Sequence, residues 1–92
     1  MSVRREIAQI LSAGPRSVSS LARELGLDRR DAEDDLRHAI RTARAAGHFV
    51  VVDPARCKQC GFLFAEDKLS KPGKCPACRG TRIFEPQIRI ET

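Results

Sequence analysis

An α+β fold is what this 92-residue sequence predicts, and three observations carry that expectation. Apolar residues recur at helical spacing through three consecutive segments up to Ala46. The period then changes to that of strands, at 49–52 and again at 84–90. Between those two strand segments stand four cysteines in two C-x-x-C pairs. Three helices followed by a β-hairpin, with a metal-binding ribbon inserted between its strands, satisfies all three.

The first helix is expected over 3–13, with Val3, Ile7, Ile10 and Leu11 on one stripe. Gly14-Pro15 stops it, because proline lacks the amide a helix needs and restricts the residue before it. A second, short helix fits 19–25, with Val18, Leu21, Ala22 and Leu25 apolar, and either Ser17 or Ser19 as its cap. Gly26 follows as the left-handed C′ residue. Asp28 reads as the N-cap of a longer third helix that ends near Ala46 and stops at Gly47. Its inward stripe is Ala32, Leu36, Ala39, Ile40 and Ala43, while Arg37, Arg41 and Arg44 fall on another face. Three helices with a tight Gly-containing turn between the second and third match a helix-turn-helix arrangement.

The β-branched run 49–52 reads as a strand closed by Asp53-Pro54. Near the C-terminus, Phe84, Ile88 and Ile90 alternate with Glu85, Gln87 and Arg89, so the three apolar residues are expected on one side. Pro86 interrupts that segment and makes it an edge strand or two short pieces. Antiparallel pairing of the two segments leaves everything from Ala55 to Gly80 as an insertion. The domains are therefore expected to be 1–54 with 81–92, and 55–80.

Chemistry concentrates in that insertion. Cys57-Lys58-Gln59-Cys60-Gly61 is followed by Cys75-Pro76-Ala77-Cys78, with fourteen residues between Cys60 and Cys75. Two intervening residues let both sulfurs of a pair converge on one ion from a tight knuckle, and two knuckles close a tetrahedral site. Cys57, Cys60, Cys75 and Cys78 are the predicted ligands. Zinc is the expected ion, and iron remains an alternative because the same four thiolates suit both. Phe62, Leu63, Phe64 and Leu69 are expected to pack beside the knuckles as ribbon core.

Composition excludes several classes. The chain carries 17 Lys and Arg against 12 Asp and Glu, a net +5 divided as +2 over residues 1–47 and +3 over 48–92. That balance tolerates nucleic acid without forming a polybasic tail. Its longest strongly apolar run, 49–52, is far short of the ~20 residues that span a bilayer, and no secretory leader is expected at the N-terminus. A cytoplasmic setting, where thiols stay reduced, favours metal over disulfides. No zinc-protease, nucleophile-elbow or phosphate-loop motif is present, and a closed four-sulfur site leaves no position for an activated water, so the protein is not expected to be an enzyme.

The chain resembles the small predicted transcriptional regulators that fuse a winged helix-turn-helix to a rubredoxin-like zinc ribbon. The likeness rests on S-V-S-S-L-A-R-E-L-G-L from Ser17 to Leu27, V-V-D-P-A-R-C-K-Q-C-G-F from Val51 to Phe62, P-G-K-C-P-A-C-R-G from Pro72 to Gly80, and Phe84-Glu85-Pro86. It implies a ribbon carried inside the wing and a metal role for all four cysteines. One departure is Arg79, where the second knuckle of such ribbons usually continues with glycine; Gly80 follows one place later.

The resemblance implies a DNA-binding transcriptional regulator. The start of a third helix of this kind enters the major groove, which nominates Arg29 and Arg30 for guanine edges or phosphates, with Arg37 and Arg41 along the backbone. A homodimer would pair two half-sites. Asp31, Glu33, Asp34 and Asp35 sit badly against a polyanion, although acids early in a helix also offset its dipole. The alternatives are a protein-interaction adaptor working through the ribbon and a rubredoxin-like iron electron carrier.

Overall fold

The computed structural model describes residues 3–91, and side chains from Arg5 onward. The side chain of Val3 and the termini Met1, Ser2 and Thr92 lie outside the described residues. The elements run α1 (Val3–Ala13), α2 (Val18–Leu25), α3 (Arg29–Ala45), β1 (Phe49–Asp53), β2 (Arg56–Cys57), β3 (Ile83–Phe84) and β4 (Gln87–Glu91).

Each helix boundary has a local cause. Ser17 is the N-cap of α2: its hydroxyl accepts the Ser20 amide at 3.1 Å. The neighbouring Ser19 amide is taken by a residue far along the chain, the carboxylate of Glu85 at 3.0 Å. Gly26 closes α2 at φ 67°, a left-handed conformation that costs glycine nothing, and the Leu27 amide returns to the Ala22 carbonyl. Asp28 caps α3 by accepting the Asp31 amide at 2.8 Å. At the other end Gly47 adopts φ 85° and the His48 amide reaches back to the Ala43 carbonyl.

The core lies where the apolar stripes meet. Ile7 and Leu11 of α1, Val18, Leu21 and Ala22 of α2, and the stripe of α3 from Ala32 to Ala43 are buried together. Ile88 and Ile90 of β4 close one side of it, with Val50 and Val52 of β1 packed alongside.

β1 and β4 pair antiparallel in the register Phe49 with Glu91 through Asp53 with Gln87. This joins residues some forty apart and makes the intervening segment an excursion from a hairpin. β2 and β3 form a separate antiparallel pair at the base of that excursion, Arg56 opposite Phe84 and Cys57 opposite Ile83. Leu63 bridges to Arg56 from the other side, so β2 is flanked twice.

Here the expected side of Phe84 is corrected. Pro86 divides the C-terminal segment, and the two pieces join different sheets. Ile83 turns inward at 2% exposure, while Phe84 is 46% exposed instead of sharing the face of Ile88 and Ile90.

The molecule is elongated, 42 × 27 × 18 Å, with a radius of gyration of 13.4 Å. A compact chain of this length would show about 12 Å. The excess belongs to the cysteine-bearing excursion, which touches the helical core through one buried side chain, Leu69, at 4% exposure.

Candidate metal centre

The two knuckles have the same backbone. In the first, the Gly61 amide donates to the Cys57 carbonyl at 3.1 Å and the Cys57 amide to the Phe62 carbonyl at 2.9 Å. In the second, the Arg79 amide donates to the Cys75 carbonyl and the Cys75 amide to the Gly80 carbonyl, both at 2.9 Å. Both turns need a left-handed residue just after the second cysteine. Gly61 supplies it at φ 79° and Arg79 at φ 61°, the sole non-glycine residue with positive φ among the described residues. Arg79 thus performs the glycine's backbone role, and Gly80 does not replace it. At Gly80 an added Cβ would displace the end of the Gln59 side chain and approach the Cys78 sulfur to 3.3 Å, so a larger residue here would press on a candidate ligand.

The knuckles face one another across the ribbon. All four Sγ atoms lie within 4.8 Å of each other, and the Cys57–Cys78 and Cys60–Cys75 sulfurs are 3.5 Å apart. A disulfide requires about 2.05 Å, so the four thiols are free. Metal–sulfur bonds of about 2.3 Å in a tetrahedron put the sulfurs about 3.8 Å apart, and the cluster fits that spacing. Cys57 and Cys75 are buried and Cys60 and Cys78 exposed, so each knuckle contributes one inner and one outer ligand.

Electrostatics separate Cys57 from Cys60 and Cys78. The Cys60 amide favours the Cys57 thiolate against the cost of burial, and the Gln59 amide, 3.4 Å from the sulfur, adds to it; the Cys57 pKa falls to about 6. The Phe62 amide acts the same way on Cys60, but burial and the adjoining thiols of Cys75, Cys57 and Cys78 outweigh it and push Cys60 up to about 12. At Cys78 the Gly80 amide favours the thiolate, and Cys57 with burial prevails in the opposite direction, so that thiol is raised too. Such a cluster, crowding the ready Cys57 thiolate beside the raised thiols of Cys60 and Cys78, is relieved by a cation that takes four sulfur ligands.

A closed four-sulfur site on matched knuckles, borne by a small antiparallel ribbon, defines a zinc-ribbon protein. The chain belongs to the PF0610-like family: residues 2–52 match the family's N-terminal domain and residues 54–92 its rubredoxin-like zinc beta-ribbon domain. Among solved structures it is similar to the solution NMR structure of protein PF0610 from Pyrococcus furiosus, at 31% identity and a TM-score of 0.79, covering 98% of this chain and 89% of that one. None of the curated proteins matches.

The four arginines nominated from the sequence fall into two environments. Arg29 and Arg30 are exposed in the first turn of α3. Arg37 and Arg41 line a cleft of about 480 Å³ whose opposite wall is the ribbon segment holding Glu66, Asp67 and Leu69. Arg37 is also committed: its Nη2 lies 3.0 Å from the Glu33 carboxylate and donates to the Asp67 carbonyl at 3.3 Å. Arg16 is held by Glu24 at 3.2 Å. No local pattern signals this approach, because it depends on how the ribbon tilts toward α3.

The expected ribbon core is also redistributed. Leu69 leaves it for the helical core. Phe62 and Phe64 pack edge to face, centroids 5.1 Å apart, but Leu63 is 61% exposed. None of the described helices is long and apolar enough to cross a membrane.

Proposed function

We propose that the protein is a DNA-binding transcriptional regulator, a winged helix-turn-helix in which β1 and β4 are the wing and the ribbon is its insertion, with zinc as a structural ion. The observation that carries this is the start of α3: a tight turn from α2, capped by Asp28, presents Arg29 and Arg30 in an exposed first turn. Arg37 and Arg41 support it less, since the ribbon segment with Glu66 and Asp67 stands against them. Their role is to follow phosphates at the margin of the contact.

Zinc holds the ribbon and does no chemistry, so the protein is not an enzyme in this role; its partner is duplex DNA, bound by one chain or by a homodimer over two half-sites. Reduced thiols suit a cytoplasmic setting. Iron in place of zinc would make the protein coloured, and a colourless purified protein excludes the electron-carrier alternative.

The test is a duplex titration of the zinc-loaded protein followed by amide shifts at two salt concentrations. Shifts in residues 16–41 that fade with salt, and lower affinity in the Arg29→Ala/Arg30→Ala double variant, are expected. Unchanged affinity in that variant would move the contact away from the first turn of α3. The acidic residues Asp31, Asp34 and Asp35 in the same helix favour a second reading, a protein-interaction adaptor, and absence of duplex binding would select it.

A further inference from the structure

The outer face of the ribbon's small sheet has a composition that metal binding does not explain. Residues directly opposite in an antiparallel pair project to the same side. Arg56 lies opposite Phe84 on one flank and opposite Leu63 on the other, so Leu63, Arg56 and Phe84 form one row across the sheet. All three are exposed, whereas Cys57 and Ile83, next along the same strands, are 1% and 2% exposed on the inner face. Alternation adds Lys58 and Arg82 to the outer side, and the Lys58 amide donates to the Arg82 carbonyl at 2.9 Å.

Phe84 is the aromatic residue of this face. The Arg56 guanidinium carbon is 5.1 Å and the Lys58 Nζ 4.8 Å from its ring centroid, both within cation–π range. An aromatic ring nearly half exposed, with Arg56 and Lys58 against it and Arg82 on the same side of the sheet by alternation, combines the two elements that single strands need: a surface for stacking and positive charge for the backbone.

We propose that this face binds single-stranded nucleic acid, stacking a base on Phe84, with Leu63 as a second apolar contact across the row, while Arg56, Lys58 and Arg82 hold the flanking phosphates. A duplex keeps its base faces inside the stack, so it would meet the cations and leave the ring unused. An acidic peptide would satisfy the cations, but its apolar anchor needs an enclosed apolar pocket. The cleft beside Phe84, about 390 Å³, is open and lined about equally by polar and apolar groups, and an acidic segment seated in it would meet the carboxylates of Asp53 and Glu85. This site is separate from α3, and its success or failure is independent of the duplex contact proposed for Arg29 and Arg30.

The test uses the full zinc-loaded chain and a fluorescein-labelled oligodeoxythymidylate of about 12 nucleotides, within the site size of small single-strand binders. Anisotropy is expected to show binding that weakens with salt. Phe84→Ala should weaken it about 5- to 100-fold with the salt slope unchanged. Each of Arg56→Ala, Lys58→Ala and Arg82→Ala should flatten the slope by about 0.7. Arg29→Ala/Arg30→Ala should leave oligonucleotide affinity unchanged.

Because the sequence has no Trp and no Tyr, Phe84→Trp supplies a lone indole whose emission should fall as a base stacks on it. It also tests the face if Phe84→Ala perturbs the ribbon. No oligonucleotide binding, or wild-type affinity in Phe84→Ala with no quenching in Phe84→Trp, overturns the proposal. So does quenching by a Glu-rich, Phe-containing peptide without quenching by the oligonucleotide, which would give the face to an acidic protein segment. Loss of oligonucleotide affinity in the Arg29→Ala/Arg30→Ala variant also overturns it, by moving the contact to α3.

Discussion

At Arg79 the backbone adopts a conformation that side chains with a Cβ resist, at roughly 1–2 kcal/mol. Glycine relieves that strain and gives back part of it as unfolded-chain entropy. Arg79→Gly should therefore stabilise the metal-loaded ribbon by about 0.5–1 kcal/mol, read as a raised melting temperature with the four-sulfur site intact. Ser17 is the opposite case: a buried hydroxyl capping an eight-residue helix. Ser17→Ala should cost about 1 kcal/mol, seen as a lower urea midpoint at constant slope. The thiols give a third prediction. Cys60 and Cys78, both raised, carry protons at neutral pH and must lose them to a metal. Metal affinity should climb as pH rises from about 6 to 8, measured by competition with a chromophoric chelator. A flat profile would mean that the metal does not displace those protons.

Among the elements, β2 and β3 are two residues each and cannot hold a sheet unaided. The ribbon's stability must come from its metal, and structural zinc supplies on the order of 10–16 kcal/mol in small peptides. Chelation should collapse the amide dispersion of residues 55–84 while α1 and α3 keep their helical signal. The Ser19 amide should shift as well, since the carboxylate it donates to follows directly after β3. An ordered ribbon after chelation would remove the structural role of the metal. Leu69 makes the dependence mutual, because it is a ribbon side chain buried in the helical core. Leu69→Ala should cost about 2–4 kcal/mol of unfolding free energy, and the loss should register in the amides of α3 near Ile40.

For the molecule as a whole, the consequence is a division of charge. The first turn of α3 and the outer face of the ribbon each offer cations, while Glu66 and Asp67 stand beside Arg37 and Arg41 in the cleft between them. Surface charges of this kind are screened within about 8–10 Å at physiological salt, and the two proposed contacts draw on different residues. Affinity for duplex and for single strand should then fall with salt independently, each with its own set of arginines and lysines. A shared response to every variant would show one continuous surface.

Short-range physics is what the sequence by itself determined. Asp28 announces α3, and the serines at 17 and 19 announce α2, because a hydroxyl or carboxylate beside free amides is a local event, and Gly26 and Gly47 end these helices for an equally local reason; the choice of Ser17 over Ser19 came from the structure. The four cysteines were legible because two-residue spacing already brings two sulfurs to one point. The pairing of β1 with β4 followed from the alternation of Ile88 and Ile90. Tertiary structure decided the rest. Phe84 faces solvent because Pro86 hands β3 to a different sheet, and Leu69 serves the helical core because the ribbon leans against α3. The arginines of α3 divide into exposed and covered for the same reason. Those outcomes turn on the tilt between two bodies joined by one hairpin, and tilt is set by packing across some thirty residues of chain, which no local period records.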